Sequence, residues 1–297
     1  INAEVKAGRG SKHGGAYLDI ATRRSADDIK KKLPSMYHQF KVLAELDITK
    51  EPMEVGPTCH YFMGGIRVEA DTTMSTVEGL FACGECAAGM HGANRLGGNS
   101  LSDLLVFGNL AGTGASKYAK ELSEMPQFSD EDAKIIIRNA TSILNREEGE
   151  NPYLLHEDLQ KNMQNNVGII RTDSEVQEGI QNIENLKEKN KNVKANGSSQ
   201  FNPGWHEALA MRNLLITSEA VARAAHLRTE SRGAHTRDDF RDESEEWYQY
   251  NIISKKGEDG NMQVIKEKRK DPNPELERIA NATLEDLEAE VAEERKS

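Results

Sequence analysis

The most restrictive feature of the sequence is a glycine-dense segment between residues 55 and 118. It runs through VGPTCHYFMGGI and GLFACGECAAGMHGANRLGGNSLSDLLVFGNLAGTGA, where the chain's 24 glycines are most concentrated. Glycine permits positive φ angles and close backbone approaches that a Cβ atom forbids. The segment therefore predicts sharp turns and backbone lying close to a ligand, whereas the rest of the chain is charged and has helical periodicity.

Charge and cysteine content exclude several classes of protein. The 297 residues include 38 Lys and Arg against 49 Asp and Glu, which gives a formal net charge of −11. A dedicated nucleic-acid-binding protein needs a basic surface, so we expect no nucleic-acid partner. The sequence lacks an apolar run of membrane-spanning length. Three cysteines, an odd number, argue against a disulfide scaffold and fit a reducing compartment.

Short strands and helices are predicted in the first 122 residues. A helix is expected over 25–45, with Ser25 as its N-cap and an interruption at Pro34. Residues 66–70 and 79–83 are predicted to form strands. A long helix is predicted to begin at Asn99 or Ser100, with leucines along its apolar side.

A helical block is predicted after a linker over residues 125–130. Three or four amphipathic helices with short connections indicate an antiparallel bundle. The last of the four is expected from Trp205 to about Leu227. A β-hairpin is predicted over 246–255 and 262–270, followed from Pro274 by one acidic helix.

Three groups in the glycine-dense segment can serve flavin chemistry. Glu85 follows a short apolar stretch and Gly84, so its carboxylate can accept hydrogen bonds from ribityl hydroxyls. Arg95 lies among glycines, where its guanidinium can bind a carboxylate bidentately. The helix starting near Ser100 offers free N–H groups and a partial positive charge to the pyrimidine edge of a flavin. His60, beside Gly64-Gly65, is a second candidate for binding a dicarboxylate.

The segments PTCHYFMGGI, GLFACGE, HGANRLGGNSL and RTESRGAH (residues 228–235) resemble the flavoprotein subunit of succinate dehydrogenase and fumarate reductase. The resemblance implies that His60 and Arg95 bind the two substrate carboxylates. It also implies that Glu85, Ser100 and Leu101 contact FAD. No metal site is expected in this chain.

The same resemblance implies a reaction and a set of partners. Succinate and fumarate would be interconverted by hydride transfer to or from FAD, and the electrons would pass to an iron–sulfur subunit and then to quinone. Membrane anchor subunits would hold the assembly at the cytoplasmic face of a bacterial inner membrane, with this chain as a peripheral part.

The resemblance implies the α/β fold class. The first part of the chain would belong to an FAD-binding Rossmann-like domain together with the end of a capping domain. An α-helical bundle and a tail made of a β-hairpin and a helix would follow. We expect four parts: the end of the capping domain over 1–54, the C-terminal part of the FAD-binding domain over 55–122, the helical domain over 123–240, and the tail over 241–297.

The sequence departs from the family pattern at its start. It begins at Ile1 rather than Met, and a G-x-G-x-x-G turn for the FAD pyrophosphate is missing. By the resemblance, the proton-transferring arginine would lie just upstream of Ile1, so no residue of this chain is expected to accept the proton. The chain resembles the C-terminal half of such a subunit, and alone it should bind FAD poorly and not turn over.

Alternatives remain for the cysteines and for the function. Cys83 and Cys86 form a C-x-x-C pair that could be a redox dithiol or metal pair, but small residues lining a flavin pocket are the favoured interpretation. Another flavoprotein of the superfamily, such as L-aspartate oxidase, is the alternative enzyme. A non-catalytic helical interaction fragment is the alternative from a different class.

Overall fold

A computed structural model describes residues 1–294 of the chain. These residues form eleven α-helices and two small two-stranded antiparallel sheets. The mixed α/β character predicted from the sequence is confirmed, and the helices dominate.

The first 55 residues form a small unit around a short sheet. It contains the helices α1 (Asn2–Lys6), α2 (Ala26–Lys32) and α3 (Pro34–Leu43), and the strands β1 (Ala16–Leu18) and β2 (Met53–Val55). The predicted helix break is confirmed, because α2 begins after the Ser25 cap and α3 begins at Pro34. Its core comprises Ile29, Ile48 and Met53.

The glycine-dense segment contains less regular strand than predicted. Residues 66–70 and 79–83 form only isolated bridges, including an antiparallel pair between Met74 and Phe81. The physical reason is the backbone conformation of the flanking glycines: Gly64, Gly65, Gly79 and Gly84 all have positive φ, which interrupts an extended ladder. A 3-10 turn, Gly84–Cys86, and the long helix α4, Asn99–Glu121, complete the segment.

The predicted helical block is present, with its caps. It comprises α5 (Asp130–Ser142), α6 (Pro152–Asn166), α7 (Asp173–Asn190) and α8 (Pro203–Leu227). Ser129, Asn151, Thr172 and Asn202 cap these four helices with side-chain oxygens. Apolar residues from α6, α7 and α8 build the main core, among them Leu159, Ile183 and Met211.

The tail differs from the prediction in two places. Residues Glu245–Tyr248 form a short helix, α9, where the first hairpin strand was expected to start; the hairpin itself comprises β3 (Tyr250–Lys256) and β4 (Met262–Lys268). The predicted terminal helix is two helices, α10 (Pro274–Asn281) and α11 (Leu284–Glu294). Ala282 is extended, and Thr283 exchanges hydrogen bonds with Asp286 as a new cap, which explains the break. Among the helices described, none has the length and apolarity needed to span a bilayer.

Candidate substrate and cofactor site

The loop that carries His60 packs against the turn that carries Glu85. The Ile66 amide donates to the Cys86 carbonyl at 2.8 Å, and the Ala88 amide donates back to Ile66 at 2.9 Å. A Cβ on Gly65 would lie 2.6 Å from the Cys86 carbonyl carbon, so only glycine allows this approach. Two motifs separated by about twenty residues are therefore brought side by side.

Glu85 lies on the 3-10 turn with its carboxylate exposed. Gly84 starts this turn with φ +68°, a conformation that suits glycine. The Phe62 amide donates to Glu85 Oε1 at 3.0 Å, which ties the carboxylate to the His60 loop. This contact orients Glu85 while leaving its side chain accessible to a ligand.

Arg95 stacks on an aromatic ring from the His60 loop. Its guanidinium carbon lies 4.6 Å from the centroid of the Tyr61 ring. Its Nε is buried without a hydrogen-bond partner, and Nη1 makes only a 3.4 Å contact to the Leu96 carbonyl. Among the ion pairs of residues 1–294, none involves Arg95. The structure thus holds a cation whose donors are largely uncommitted.

A buried carboxylate lies behind the Tyr61 ring. Asp103, on the first turns of α4, receives a hydrogen bond from the Tyr61 hydroxyl at 3.4 Å and contacts His91 Nε2 at 3.2 Å. The Tyr61 and His91 rings meet edge to face, with centroids 5.4 Å apart. Burial raises the pKa of Tyr61, and the Asp103 charge raises it further, so the hydroxyl keeps its proton.

The start of α4 presents an open apolar surface. Gly98 precedes the helix with φ +86°, and no side chain caps the first turn. Ser100 is half-buried, while Leu101 is 71% exposed and the nearby Leu96 is also exposed. An uncapped helix N-terminus beside exposed leucines fits a group with an anionic edge and an apolar ring system, as a flavin has.

The RTESRGAH segment packs against the Arg95 loop from the helical side. The Ala234 amide donates to the Ala93 carbonyl at 3.0 Å. Gly233 has φ +58°, and a Cβ added there would lie 2.6 Å from the Ala93 carbonyl carbon. The segment is itself fixed by the buried Glu230, which pairs with Arg228 and Arg232.

A half-buried arginine and histidine support the same segment. Arg171 Nη1 lies 2.8 Å from His235 Nδ1, and His235 Nε2 lies 3.1 Å from the Arg228 carbonyl. Because arginine can only donate, Nδ1 accepts and Nε2 carries the proton. Burial, followed by neighbouring cations such as Arg171, lowers the pKa of His235 to about 4.

The predicted site residues are therefore unequally placed. Glu85 and Arg95 are joined to one loop, residues 60–66, through Phe62 and Tyr61. His60 is exposed on that loop, and Ser100 and Leu101 lie at the start of α4. Cys59, Cys83 and Cys86 are free thiols. Among the residues described, no group of three or more His, Cys, Asp or Glu side chains could hold a metal ion.

Sequence reasoning did not single out Tyr61, His91 and Asp103. The signal for Asp103 was available, since it is a lone carboxylate inside the apolar helical run SLSDLLVFG. A buried charge in such a run needs hydrogen-bonding partners from elsewhere, which in this fold are His91 and Tyr61.

Two family models match the chain in agreement with this geometry. Residues 1–101 match the FAD binding domain model, and residues 156–285 match the model described as fumarate reductase flavoprotein C-term. The chain belongs to the succinate dehydrogenase and fumarate reductase flavoprotein family. The resemblance stated from the sequence motifs is thereby confirmed, and FAD is supported as the cofactor of the family's binding domain.

Individual relatives agree with this membership. An uncharacterized FAD-dependent oxidoreductase of Methanocaldococcus jannaschii is 40% identical over 256 residues, covering 86% of this chain and 45% of its own. The succinate dehydrogenase flavoprotein subunit of Coxiella burnetii is 36% identical over 264 residues, covering 83% and 44%. The solved structure of Mycobacterium smegmatis Sdh1 in complex with UQ1 is 50% identical, with a TM-score of 0.86, covering 97% and 48%. The chain therefore spans about half the length of the relatives it matches.

Proposed function

We propose that this chain is part of a flavoprotein subunit that interconverts succinate and fumarate with FAD. The observation that carries the proposal is Arg95, a guanidinium stacked on Tyr61 with no carboxylate partner within the described residues. A planar cation with free donors is suited to bidentate binding of a carboxylate. The substrate class that follows is a small carboxylic acid, and family membership narrows it to the C4 dicarboxylates.

His60 is proposed to bind the second carboxylate. It lies on the same loop as Tyr61, one residue before the ring that supports Arg95. Two donors on adjoining loops would hold a dicarboxylate at both ends and set the position of its central carbons. Positioning of this kind supplies a large part of the rate enhancement in two-centre reactions.

Glu85, Ser100 and Leu101 are proposed to contact FAD. The exposed Glu85 carboxylate can accept hydrogen bonds from ribityl hydroxyls, and the uncapped start of α4 offers amide donors to the pyrimidine edge. The exposed Leu101 side chain can cover part of the ring. When bound, the cofactor supplies two-electron redox chemistry, while the protein orients the substrate.

The substrate proton is proposed to leave through an arginine outside this chain, as the resemblance implies. The share of the reaction carried by residues 1–294 is then carboxylate binding and cofactor contact. An iron–sulfur subunit and membrane anchor subunits are proposed as partners that pass electrons to quinone. This follows from family membership and from relatives such as the Mycobacterium smegmatis Sdh1 structure with UQ1. A peripheral place on the cytoplasmic face of a bacterial inner membrane belongs to the same proposal.

Arg95→Gln tests the proposal in the FAD-loaded protein that carries this chain. Because a charge-assisted bidentate contact is lost, kcat/KM for succinate should fall by about 100-fold or more, with flavin absorbance near 450 nm retained. Arg138→Gln, which removes the same charge from an exposed position on α5, is the matched control and should leave kcat/KM unchanged.

Unchanged succinate turnover in Arg95→Gln would contradict the assigned role. Absence of flavin from the protein, when it is prepared together with any adjoining sequence, would contradict the enzyme proposal. Oxidation of L-aspartate in place of succinate would favour the L-aspartate oxidase alternative.

A further inference from the structure

We propose that Tyr61, held by Asp103, is a positioning residue that fixes the plane of the Arg95 guanidinium for the substrate carboxylate. This rests on the proposed function and deepens it. Three elements converge on one buried carboxylate: the loop of residues 60–66, the loop of residues 91–98, and helix α4.

Asp103 is the fixed point of this arrangement. Its side chain is 3% exposed, and the regular backbone of α4 sets its position. It takes one contact from each loop, from the Tyr61 hydroxyl and from His91 Nε2, both at the same oxygen, Oδ2. Since a buried carboxylate is costly without hydrogen bonds, these two donors are held to it.

The Tyr61 ring in turn determines where the guanidinium of Arg95 lies. At 4.6 Å from the ring centroid, the guanidinium carbon lies within cation–π distance, a contact that holds the cation without neutralising its charge. A carboxylate partner would orient the same cation but would compete with substrate. The described residues provide no such partner to Arg95, and its buried Nε is left without an acceptor.

The unsatisfied atoms distinguish this cluster from a packing contact. Arg95 Nε and Asp103 Oδ1 are both buried polar atoms without a partner. In a cluster built only for stability, such atoms would be paired, because each unpaired polar group costs free energy. An arginine kept stacked and unpaired beside the His60 loop is instead organised to receive an anion.

The test uses malonate, a dicarboxylate that cannot be oxidised to an alkene, and the FAD-loaded protein that carries this chain. Tyr61→Leu should raise the malonate dissociation constant and lower kcat/KM for succinate by about tenfold each. Tyr61→Phe keeps the ring but removes the hydroxyl that Asp103 holds, so it should change both by an intermediate factor of about threefold. Thermal melting and flavin absorbance verify that each variant is folded and loaded.

A double-mutant cycle makes the test independent of simple destabilisation. Lysine lacks the planar guanidinium that the Tyr61 ring is proposed to orient. In an Arg95→Lys background, Tyr61→Leu should therefore raise the malonate dissociation constant by less than about twofold. Additive penalties would overturn the positioning role, as would malonate binding and turnover in Tyr61→Leu equal to the parent. If Tyr61→Leu fails to load flavin, the comparison of Tyr61→Phe with Tyr61→Met carries the same test, with Tyr61→Met expected to lose more affinity for malonate than Tyr61→Phe.

Failure of this inference is distinguishable from failure of the proposed function. If Arg95→Gln abolishes malonate binding while Tyr61→Leu does not weaken it, the proposed function stands and the positioning role is wrong. If Arg95→Gln itself binds malonate normally, the carboxylate-binding role of Arg95 is wrong, and this inference falls with it.

Discussion

Gly233→Ala should destabilise the protein by about 2–3 kcal/mol, and two separate terms contribute. Gly233 has φ +58°, and an L-residue in that left-handed region costs about 1–2 kcal/mol. The added Cβ would also lie 2.6 Å from the Ala93 carbonyl carbon and 2.7 Å from the Ala93 Cβ. Because backbone atoms cannot rotate away, the two loops must separate, which breaks the hydrogen bond from the Ala234 amide to the Ala93 carbonyl. That bond contributes about 0.5–1.5 kcal/mol.

The chain offers a matched control for the first term. Gly260, in the hairpin turn, has φ +83°, and a Cβ there would meet no atom within 4 Å. Gly260→Ala should therefore show only the conformational cost of about 1–2 kcal/mol. Both variants lose the same conformational entropy of the unfolded chain when glycine becomes alanine. The difference between their free energies of unfolding therefore measures the steric contact with Ala93.

Urea unfolding followed by tryptophan fluorescence measures this difference, since both tryptophans of the chain, Trp205 and Trp247, lie on the helical side. Gly233→Ala should also weaken malonate binding, because Ala93 precedes Arg95 by two residues, whereas Gly260→Ala should not. Equal unfolding free energies for the two variants would refute the steric contact between the segments.

Two further predictions concern titratable side chains in the helical part. The pKa of His235 is lowered to about 4 in the folded protein, so as pH falls below about 6.5 the histidine of the unfolded chain takes up a proton before that of the folded protein does. Between pH 7 and pH 5, the free energy of unfolding should therefore fall by about 1–2 kcal/mol more in the parent protein than in His235→Asn. Urea unfolding midpoints measure this difference. A parallel pH dependence in the two proteins would contradict that pKa. Glu219→Ala should lower the free energy of unfolding by about 2–4 kcal/mol, because the buried Glu219 accepts hydrogen bonds from Lys187 at 2.9 Å and Arg223 at 2.7 Å. Glu188→Ala, which breaks an exposed ion pair, should lower it by less than about 1 kcal/mol. Similar losses in the two glutamate variants, by calorimetry or urea unfolding, would rule out a buried-pair contribution.

Helices were predictable because their signals are local. The Ser25 cap, Pro34 at the start of α3 and the Thr172 capping box of α7 all act within four residues along the chain. The tail was less predictable at its ends. Ser244 caps a short helix that precedes β3, and the exchange between Thr283 and Asp286 splits a helix whose apolar periodicity continues across the break.

The strands predicted around the site were wrong because the glycines that flank them have positive φ and limit the pairing to single bridges. Ile66 pairs with Cys86 and Ala87 only because Gly65 lets the two backbones approach, so the extended segment is one bridge long. The sequence motifs predicted that Glu85 contacts FAD and that Arg95 binds a substrate carboxylate. The positions of both residues are consistent with these roles, which stay predictions. The contact of Tyr61 with Arg95 joins residues 34 positions apart and has no periodic signal in the sequence.

Net charge and local charge have opposite consequences for the proposed substrate. The chain carries a formal charge of −11, so a dicarboxylate gains no long-range attraction from the net charge of these 297 residues. At physiological ionic strength, however, charges beyond about 8 Å are largely screened, so neighbouring groups decide binding. The nearby carboxylates are committed: Asp103 accepts from Tyr61 and His91, and Glu85 accepts from the Phe62 amide. Arg95 alone in this cluster lacks an opposite charge, which is the physical basis of the proposal that an acidic chain binds an acidic substrate.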